Sequence, residues 1–230
     1  MRTLTIREVL PATPRARIVR LDLAGDPFYY AAGQWVKIGA HDQPTRKPYS
    51  LAGSPEDAAR DGCLELLIGI DSESASAHLV LETRATVDLD GPFGTFTFPT
   101  DPAERRFLFV AGGTGIAPLR AMLRHALARL RGDIELGLLY SARTASEFAY
   151  EAELRALARE HRIEFAQTVT REDAAWTGGR GRIGRAELAP LVHDPATLCF
   201  ICGPQPLVHG TKQHLQALGV DPARIRVEEW

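Results

Sequence analysis

Hydrophobic and polar positions alternate in short segments over about the first 100 residues of the chain. Residues 18–23, 35–38 and 63–68 follow this pattern, and glycine, proline and aspartate lie between the segments. A period of two is typical of β-strands that bury one face. Because a small barrel pairs antiparallel strands without leaving exposed edges, the pattern predicts an antiparallel β-barrel. The one helical pattern in this part lies around Ser76 to Leu81.

Beyond the polar stretch from Pro99 to Pro102, the pattern changes to alternating strands and helices. In the first helix the apolar residues recur at helical spacing, and Arg120, Arg124 and Arg131 lie on the other face. Strands are predicted at residues 107–111, 134–140, 163–169, 197–201 and 224–228, with helices at 119–130, 147–160, 187–192 and 207–218. Five strands with crossover helices predict a parallel, doubly wound α/β sheet. We therefore expect two domains: the barrel over residues 1–100 and the α/β domain over residues 101–230.

The composition is that of an ordinary folded protein, with 45% hydrophobic and 24% charged residues among 230. The formal net charge is -2 and the isoelectric point about 6.4, so no basic field favours nucleic acid. No segment has the length and apolarity of a membrane span, and the first residues do not resemble a signal peptide. Three cysteines are too few for a disulfide framework and fit a reducing compartment. We expect a cytoplasmic protein with neither a membrane span nor a nucleic-acid partner.

A glycine-rich segment joins the first strand of the α/β part to its helix. It contains Gly112, Gly113, Thr114 and Gly115, and Pro118 follows in a position that suits the first turn of a helix. Glycines at such a turn let a pyrophosphate approach the backbone, and the N–H groups that open the helix can donate to the anion. The segment predicts a dinucleotide phosphate site. Taken alone, it also fits a tight connection without a ligand.

A second candidate ligand segment runs from Arg46 to Ala52 in the barrel part. Its two cations could bind a phosphate, Tyr49 could pack against a heteroaromatic ring, and Ser50 could bond a ring heteroatom. By itself the segment is equally compatible with a surface turn. The later turn from Gly91 to Phe96 likewise fits either a barrel corner or a ligand contact.

Together these segments resemble the ferredoxin–NADP reductase family of flavoproteins, and the resemblance runs over nearly the whole chain. The matching segments, in the family's order, are Gly33-Gln34-Trp35, Pro48-Tyr49-Ser50, Gly91 to Phe96, Gly113 to Pro118, Cys202-Gly203-Pro204 and the ending Val227 to Trp230. In the flavin motif, Lys47 replaces the family's arginine and Arg46 lies just outside the register. Ser76 and Leu79 match the pyrophosphate segment, whose glycine is missing. Because lysine lacks the bidentate fork of arginine, either cation could hold the flavin phosphate.

The resemblance implies that the barrel binds FAD, with FMN as the alternative, and that the α/β domain binds NADPH or NADH. Hydride would pass from the nicotinamide to the flavin. Catalytic roles are implied for Ser50, Cys202, Glu228 and Trp230, with Trp230 covering the flavin ring. The implied cofactor-binding residues are Arg46, Lys47, Pro48, Tyr49, Ser50, Ile68, Ser76, Gly91, Gly94, Thr95, Gly112, Gly113, Thr114, Gly115, Pro118, Ser141, Arg143, Tyr150, Arg171, Cys202, Gly203, Pro204 and Trp230. No histidine has metal-spaced partners, so no metal site is expected.

The end of the second strand of the α/β part bears on the choice between NADPH and NADH. A NAD-selective site carries an acidic residue there, which repels a 2′-phosphate. This chain has Ser141 and Arg143 instead, with Tyr150 a few residues on, and they resemble the family's contacts to the 2′-phosphate. The pattern favours NADPH, with Arg171, Arg180 and Arg182 as further candidate cations.

Three functions remain open from the sequence. The chain could reduce a protein such as ferredoxin or flavodoxin, reduce free flavin or another small molecule, or serve as a non-catalytic electron-transfer subunit. The intact glycine-rich loop argues against the third function. The lack of a cysteine cluster argues against an iron–sulfur centre in this chain, so a separate acceptor is expected. Between the first two functions the sequence does not decide.

Overall fold

The computed structural model describes residues 1–70, 79–171 and 174–229. The chain divides by its internal contacts into two units. The first unit consists of Met1–Phe98 and Arg120–Ala128, and the second consists of Pro99–Leu119 and the chain from Arg129 onward. The domain boundary near residue 100, and the ligand assigned to each domain, stay predictions.

Six strands form the sheet of the first unit: β1 (Arg2–Thr13), β2 (Ala16–Asp22), β3 (Trp35–Ala40), β4 (Lys47–Ser50), β5 (Cys63–Gly69) and β6 (Thr86–Phe93). They pair in the order β4-β3-β6-β1-β2-β5, and every pairing is antiparallel. Just after β4, Leu51 forms an antiparallel bridge with Leu66 of β5, and the Ala52 N–H donates to the Glu65 carbonyl at 2.8 Å. This contact brings the two outer strands together, which confirms the predicted antiparallel barrel.

One short helix of the first unit, α1 (Pro55–Asp61), is absent from the predicted elements. Its seven residues are too few to show a helical period, but its ends carry clear signals. Ser54 Oγ accepts from the Asp57 N–H at 3.1 Å, and the Ser54 N–H donates back to Asp57 Oδ2 at 3.1 Å. Gly62 ends the helix in the left-handed conformation. The helix predicted around Ser76 begins outside the described residues.

The second unit has six parallel strands: β7 (Arg106–Gly112), β8 (Glu135–Ala142), β9 (Glu164–Val169), β10 (Gly179–Arg180), β11 (Leu198–Gly203) and β12 (Ile225–Glu229). Helix α2 (Ile116–Arg129) follows β7, and its residues Arg120–Ala128 belong to the first unit. The other helices of the second unit are α3 (Glu151–Arg159), α4 (Arg185–Leu188) and α5 (Gln205–Ala217). The doubly wound α/β prediction is confirmed. The prediction of five strands missed β10, because two residues show no periodicity. Helix α3 begins later than predicted, since Tyr150 before it is left-handed.

The strand order of the second unit, β10-β9-β8-β7-β11-β12, reverses direction at β7. Chain connections from β7 lead to β8 on one side of the sheet, whereas the later strands β11 and β12 lie on the other side. Such a reversal leaves a crevice at the carboxyl ends of the two central strands, where open α/β sheets bind ligands. Gly112 ends β7 and Gly203 ends β11, so the fold places both predicted nucleotide segments at this crevice.

Candidate functional site

The glycine-rich segment of the second unit connects β7 directly to α2. Gly113–Gly115 form a single 3-10 turn, in which Gly113 has a φ of 54°, and the helix begins at Ile116. Gly113 and Thr114 are partly exposed, whereas Gly115 and Pro118 are buried. The first N–H groups of a helix have no intrahelical acceptor and carry the positive end of its dipole. The 14-residue helix α2 therefore presents an anion site at the tip of the segment.

The glycines of this segment are also required by the neighbouring turn of Cys202, Gly203 and Pro204. A Cβ on Gly115 would overlap the carbonyl oxygen of Cys202 and lie 2.6 Å from its carbonyl carbon. A Cβ on Gly112 would lie 3.0 Å from the Pro204 side chain, and one on Gly203 would lie 3.1 Å from Gly112 Cα. The two turns thus pack backbone against backbone. From the sequence these glycines fit a phosphate site or a tight connection, and the structure adds this packing role.

Cys202 and Glu228 are neighbours across β11 and β12, where they form a register pair of the parallel sheet. The Cys202 thiol lies 4.0 Å from Glu228 Oε2. Burial raises the pKa of Cys202 far above its ordinary value and that of Glu228 to about 7. Near neutral pH, this pair therefore holds a proton on the thiol and a fraction of a proton on the carboxyl group.

The carboxyl end of β8 and the segment after it contain the residues predicted to contact a 2′-phosphate. Ser141 is buried, whereas Arg143 and Tyr150 are partly exposed. Arg143 Nε donates to Glu147 Oε2 at 2.9 Å, so the cation already faces a carboxylate. The Arg171 N–H donates to the Arg143 carbonyl at 2.9 Å, which places the exposed Arg171 beside the same segment. The structure therefore brings Arg171 beside Arg143 and adds Glu147, which is absent from the predicted site residues.

In the first unit, the candidate flavin motif is strand β4, which lies at one end of the strand order. Tyr49 pairs with Val36 of β3 and packs partly against the barrel core, and this burial raises its pKa to about 12. Ser50 pairs with Trp35, so its side chain points to the opposite face from Tyr49. Both remain partly exposed, as a ring contact and a hydroxyl contact to a ligand require.

The two cations of the motif have different surroundings. Arg46 Nη2 lies 3.4 Å from Asp88 Oδ2, and Arg46 Nε lies 3.8 Å from Asp90 Oδ2. Lys47 is half-buried on β4 and has no ion pair with any residue that the structure describes. The motif therefore offers Lys47 for a phosphate, while Arg46 is held by carboxylates of β6.

The turn from Gly91 to Thr95 is held by the segment that precedes β3. Gln34 Nε2 donates to the Gly94 carbonyl at 3.2 Å, and its Oε1 accepts from the Ala31 N–H at 2.8 Å. Gly94 has a φ of 97°, and a Cβ there would lie 2.7 Å from the Trp35 indole nitrogen. Gly91, Gly94 and Thr95 are all exposed, so the turn presents backbone to solvent beside Trp35.

Three candidate residues are not placed at these surfaces. Ile68 has a fully buried side chain within the barrel core, so that side chain does not face a ligand. Ser76 and Trp230 lie outside the described residues, and their assigned roles stay predictions.

One cluster of possible metal ligands occurs among the described residues. Donor atoms of His41, Asp42 and Asp88 lie within 4.8 Å of one another. However, Asp88 accepts from His41 Nδ1 at 2.9 Å and from Thr3 Oγ1 at 2.8 Å, and the Arg46 cation is adjacent. Because Thr3 and His41 occupy the carboxylate and the Arg46 cation would repel a metal ion, the cluster is a hydrogen-bonded ion-pair network around the buried Asp88.

Among the residues that the structure describes, no helix combines the length and apolarity needed to cross a bilayer.

Comparison with known proteins gives consistent results. Residues 109–213 match the family model for the oxidoreductase NAD-binding domain. The chain is 35% identical over 234 residues to ferredoxin–NADP reductase B of Sorangium cellulosum strain So ce56, covering 96% of this chain and 94% of that protein. It is 28% identical over 243 residues to oxidoreductase NAD-binding domain-containing protein 1 of Danio rerio, covering 97% and 89%. A solved structure of the ferredoxin reductase in carbazole 1,9a-dioxygenase superposes with a TM-score of 0.84 at 26% identity, over 99% of this chain and 68% of that one.

Proposed function

Because this chain belongs to the ferredoxin–NADP reductase family of oxidoreductases, we propose that it transfers hydride from NADPH or NADH to FAD and passes the electrons to a separate acceptor. The observation that carries the proposal is the crevice where the turns of β7 and β11 meet. It combines an anion site at the start of α2 with a protonated thiol and a titrating carboxyl group. Open α/β sheets bind dinucleotides in such a crevice, with the pyrophosphate at the N-terminus of a helix.

The nucleotide would bind the second unit because the backbone at the start of α2 is accessible at the anion site. Gly113 and Thr114 form its accessible part and would bind the pyrophosphate through backbone N–H groups. Ser141, Arg143 and Tyr150 would bind the adenosine ribose and its phosphate, if one is present. Arg143 is paired with Glu147. When NADPH binds, Arg143 would leave Glu147 and pair with the 2′-phosphate, whereas with NADH the pair with Glu147 would remain.

The flavin fits the first unit because β4 leaves three different groups accessible. Lys47 would bind phosphate, Tyr49 would pack against the ring system, and Ser50 would donate to a ring nitrogen. The turn from Gly91 to Thr95 offers exposed backbone for the remainder of the cofactor. When bound, FAD accepts a hydride and can release its two electrons one at a time.

Cys202 and Glu228 would border the nicotinamide. Glu228 can hold or release a proton around neutral pH, because burial places its pKa at about 7. The thiol of Cys202 stays protonated because burial raises its pKa, and since this side chain is buried it would act as a small apolar group that packs behind the nicotinamide site. Both side chains would position the nicotinamide ring and exclude water from it.

We further propose a protein acceptor of the ferredoxin or flavodoxin type. The support is the similarity over nearly the full length to a protein named ferredoxin–NADP reductase B. The chain has three cysteines, fewer than the four thiolates that usually hold an iron–sulfur cluster, so the electrons leave this polypeptide.

The test is an anaerobic titration of the FAD-loaded protein with NADPH and then with NADH. We expect the flavin absorption band to be lost with one equivalent of nucleotide. Reoxidation is then followed with ferredoxin, flavodoxin and free flavin as competing acceptors. A flavin that is not retained or not reduced by either nucleotide would contradict the proposed reductase. Faster reoxidation by free flavin than by either protein would instead assign a small-molecule acceptor.

A further inference from the structure

A single buried hydroxyl group connects the two segments of the second unit that are assigned to the nucleotide. Tyr140 lies in β8 and has no exposed surface. Its hydroxyl donates to the Gly113 carbonyl at 3.0 Å and accepts from the Ala149 N–H at 3.3 Å. The phenol thus uses its donor and one acceptor position on backbone groups 36 residues apart, in Gly113 and Ala149.

The two bonded residues lie in different parts of the candidate site. Gly113 is the first residue of the 3-10 turn that carries the anion site, and its φ of 54° is left-handed. Ala149 precedes Tyr150, which caps α3 with a φ of 59° and is a candidate ribose contact. Tyr140 therefore links the backbone of a pyrophosphate segment to the backbone of an adenosine segment.

The surroundings of Tyr140 keep this link intact. Its ring packs edge-on against Phe148, with the ring centroids 5.0 Å apart. Burial raises the pKa of Tyr140, so the hydroxyl keeps the proton that it donates to Gly113. If the hydroxyl were removed, the part-buried Gly113 carbonyl would keep the bond from the Ile116 N–H, whereas the buried Ala149 N–H would lose its partner. An unpaired buried N–H is costly.

We propose that Tyr140 is a positioning residue, which holds the pyrophosphate and adenosine segments at the spacing that one dinucleotide spans. The proposal rests on the proposed nucleotide-dependent function. A dinucleotide must satisfy both segments together, so a fixed spacing lowers the conformational cost of binding. Tyr140 does not touch the nucleotide in this proposal, because its side chain is buried.

The test is Tyr140→Phe, which keeps the aromatic ring and removes only the hydroxyl. We expect the dissociation constants of NADP⁺ and NAD⁺, measured by isothermal titration calorimetry well below the unfolding temperature, to rise about tenfold. In steady-state assays the KM for the nucleotide rises, while kcat at saturation stays within about twofold. Binding of 5′-AMP, which occupies one segment, weakens less than binding of the dinucleotide.

Two matched variants distinguish a positioning role of the Tyr140 hydroxyl from a general loss of stability in the second unit. Thr211→Val also removes a buried hydroxyl from the second unit, but this hydroxyl has no hydrogen-bond partner among the described residues. Phe148→Leu weakens the packing against the Tyr140 ring and leaves its hydroxyl in place. We expect unchanged nucleotide affinity in Thr211→Val, and a lower unfolding temperature with unchanged affinity in Phe148→Leu. Affinity lost equally in Phe148→Leu would overturn the proposal.

A measurement on the unaltered protein does not depend on the folding of any variant. The Ala149 amide donates to the Tyr140 hydroxyl, so its hydrogen exchange should slow at least tenfold when NADP⁺ or NAD⁺ is bound. Unchanged exchange, or a Tyr140→Phe protein with parental affinity, would overturn the positioning role. If the parent protein itself binds neither nucleotide, the proposed function fails instead.

Discussion

The guanidinium of Arg120 donates to Glu65 Oε1 at 2.8 Å and to the Ala52 carbonyl at 2.7 Å. The side chains of Arg120 and Glu65 are only 9% and 11% exposed, so water barely screens this ion pair. Glu65 Oε2 also accepts from Arg20 Nε at 2.9 Å. This network bonds α2 to the backbone that follows the β4 motif, within the first unit.

Arg120→Met should lower the free energy of unfolding by about 2–4 kcal/mol, because it leaves a buried carboxylate and a buried carbonyl with fewer partners. Urea denaturation monitors the change. Arg106→Met is the matched control, since Arg106 pairs with the exposed Glu135 at 3.0 Å and should cost less than about 1 kcal/mol. An equal decrease in the free energy of unfolding in the two variants would mean that the buried ion pair stabilises the protein no more than the exposed one.

Gly115→Ala should abolish detectable nucleotide binding, because its Cβ would overlap the Cys202 carbonyl and separate the two turns of the crevice. The same substitution at Gly210 in α5 meets no atom within 4 Å and should leave binding intact. Gly210→Ala should also stabilise the helix by about 0.5–1 kcal/mol. Calorimetric titration with NADP⁺ checks the pair of variants, and retained binding in Gly115→Ala would show that the turns can separate without loss.

Glu228→Gln should change stability in a pH-dependent way. Burial raises the pKa of Glu228 from 4.5 to about 7, so the folded protein binds this proton more tightly than the unfolded chain does. The stability of the parent protein therefore falls as the pH rises from 4.5 to about 7. Above pH 7 the parent remains destabilised by the whole cost of burying the charged carboxylate. Because the carboxyl group is partly exposed, we expect the variant at alkaline pH to have a free energy of unfolding about 1 kcal/mol higher than its parent. This difference corresponds to a Tm about 2–4 °C higher.

At acidic pH the Glu228→Gln protein and its parent should unfold at the same temperature, which makes the low-pH melt an internal control. Hydride transfer in the variant should lose its dependence on pH around neutrality. A Tm difference that is constant over the whole pH range would contradict the assignment of the raised pKa to Glu228.

Lys47→Met should release flavin during gel filtration, since it removes the cation of β4 that has no ion pair among the described residues. We expect about a tenfold weaker FAD affinity with little change in stability. Arg46→Met should instead lower stability by about 1–2 kcal/mol and retain flavin, because Arg46 pairs with Asp88 and Asp90. The opposite outcome would assign the phosphate contact to Arg46.

Much of the fold could be predicted because strands of the barrel and α2 bury one face each, whereas the central strands β7, β8 and β11 are buried on both faces and form apolar runs. The period of two in β2 and β3 and the helical spacing in α2 both follow from that one-sided burial. The polar face of α2 was interpreted less well. Arg120 occupies that face and is nevertheless buried, because Glu65 and the Ala52 carbonyl compensate its charge. A pattern along one chain does not contain such partners, which lie 55 and 68 residues away.

The candidate site was predictable where residue type alone fixes the chemistry, as in the glycines of the β7 turn. It was not predictable where the partner decides the role. Arg46 and Lys47 are equivalent cations in the sequence, and only the carboxylates of β6 distinguish them. From the sequence, Tyr140 is predicted only as the end of a strand, because the pattern of residues does not show what its hydroxyl bonds.

The backbone contact between Gly112 and Gly203 also limits how this fold can vary. A Cβ on Gly203 would lie 3.1 Å from Gly112 Cα, and a Cβ on Gly112 would lie 2.8 Å from Leu207 Cδ1 and 3.0 Å from Pro204 Cδ. Neither glycine has a side chain whose removal could make room for the other. Exchange at one position therefore cannot be rescued at the other. In a library randomised at both positions and selected for folded protein, we expect the selected variants to have glycine at both positions. This expectation does not depend on which nucleotide the variants bind.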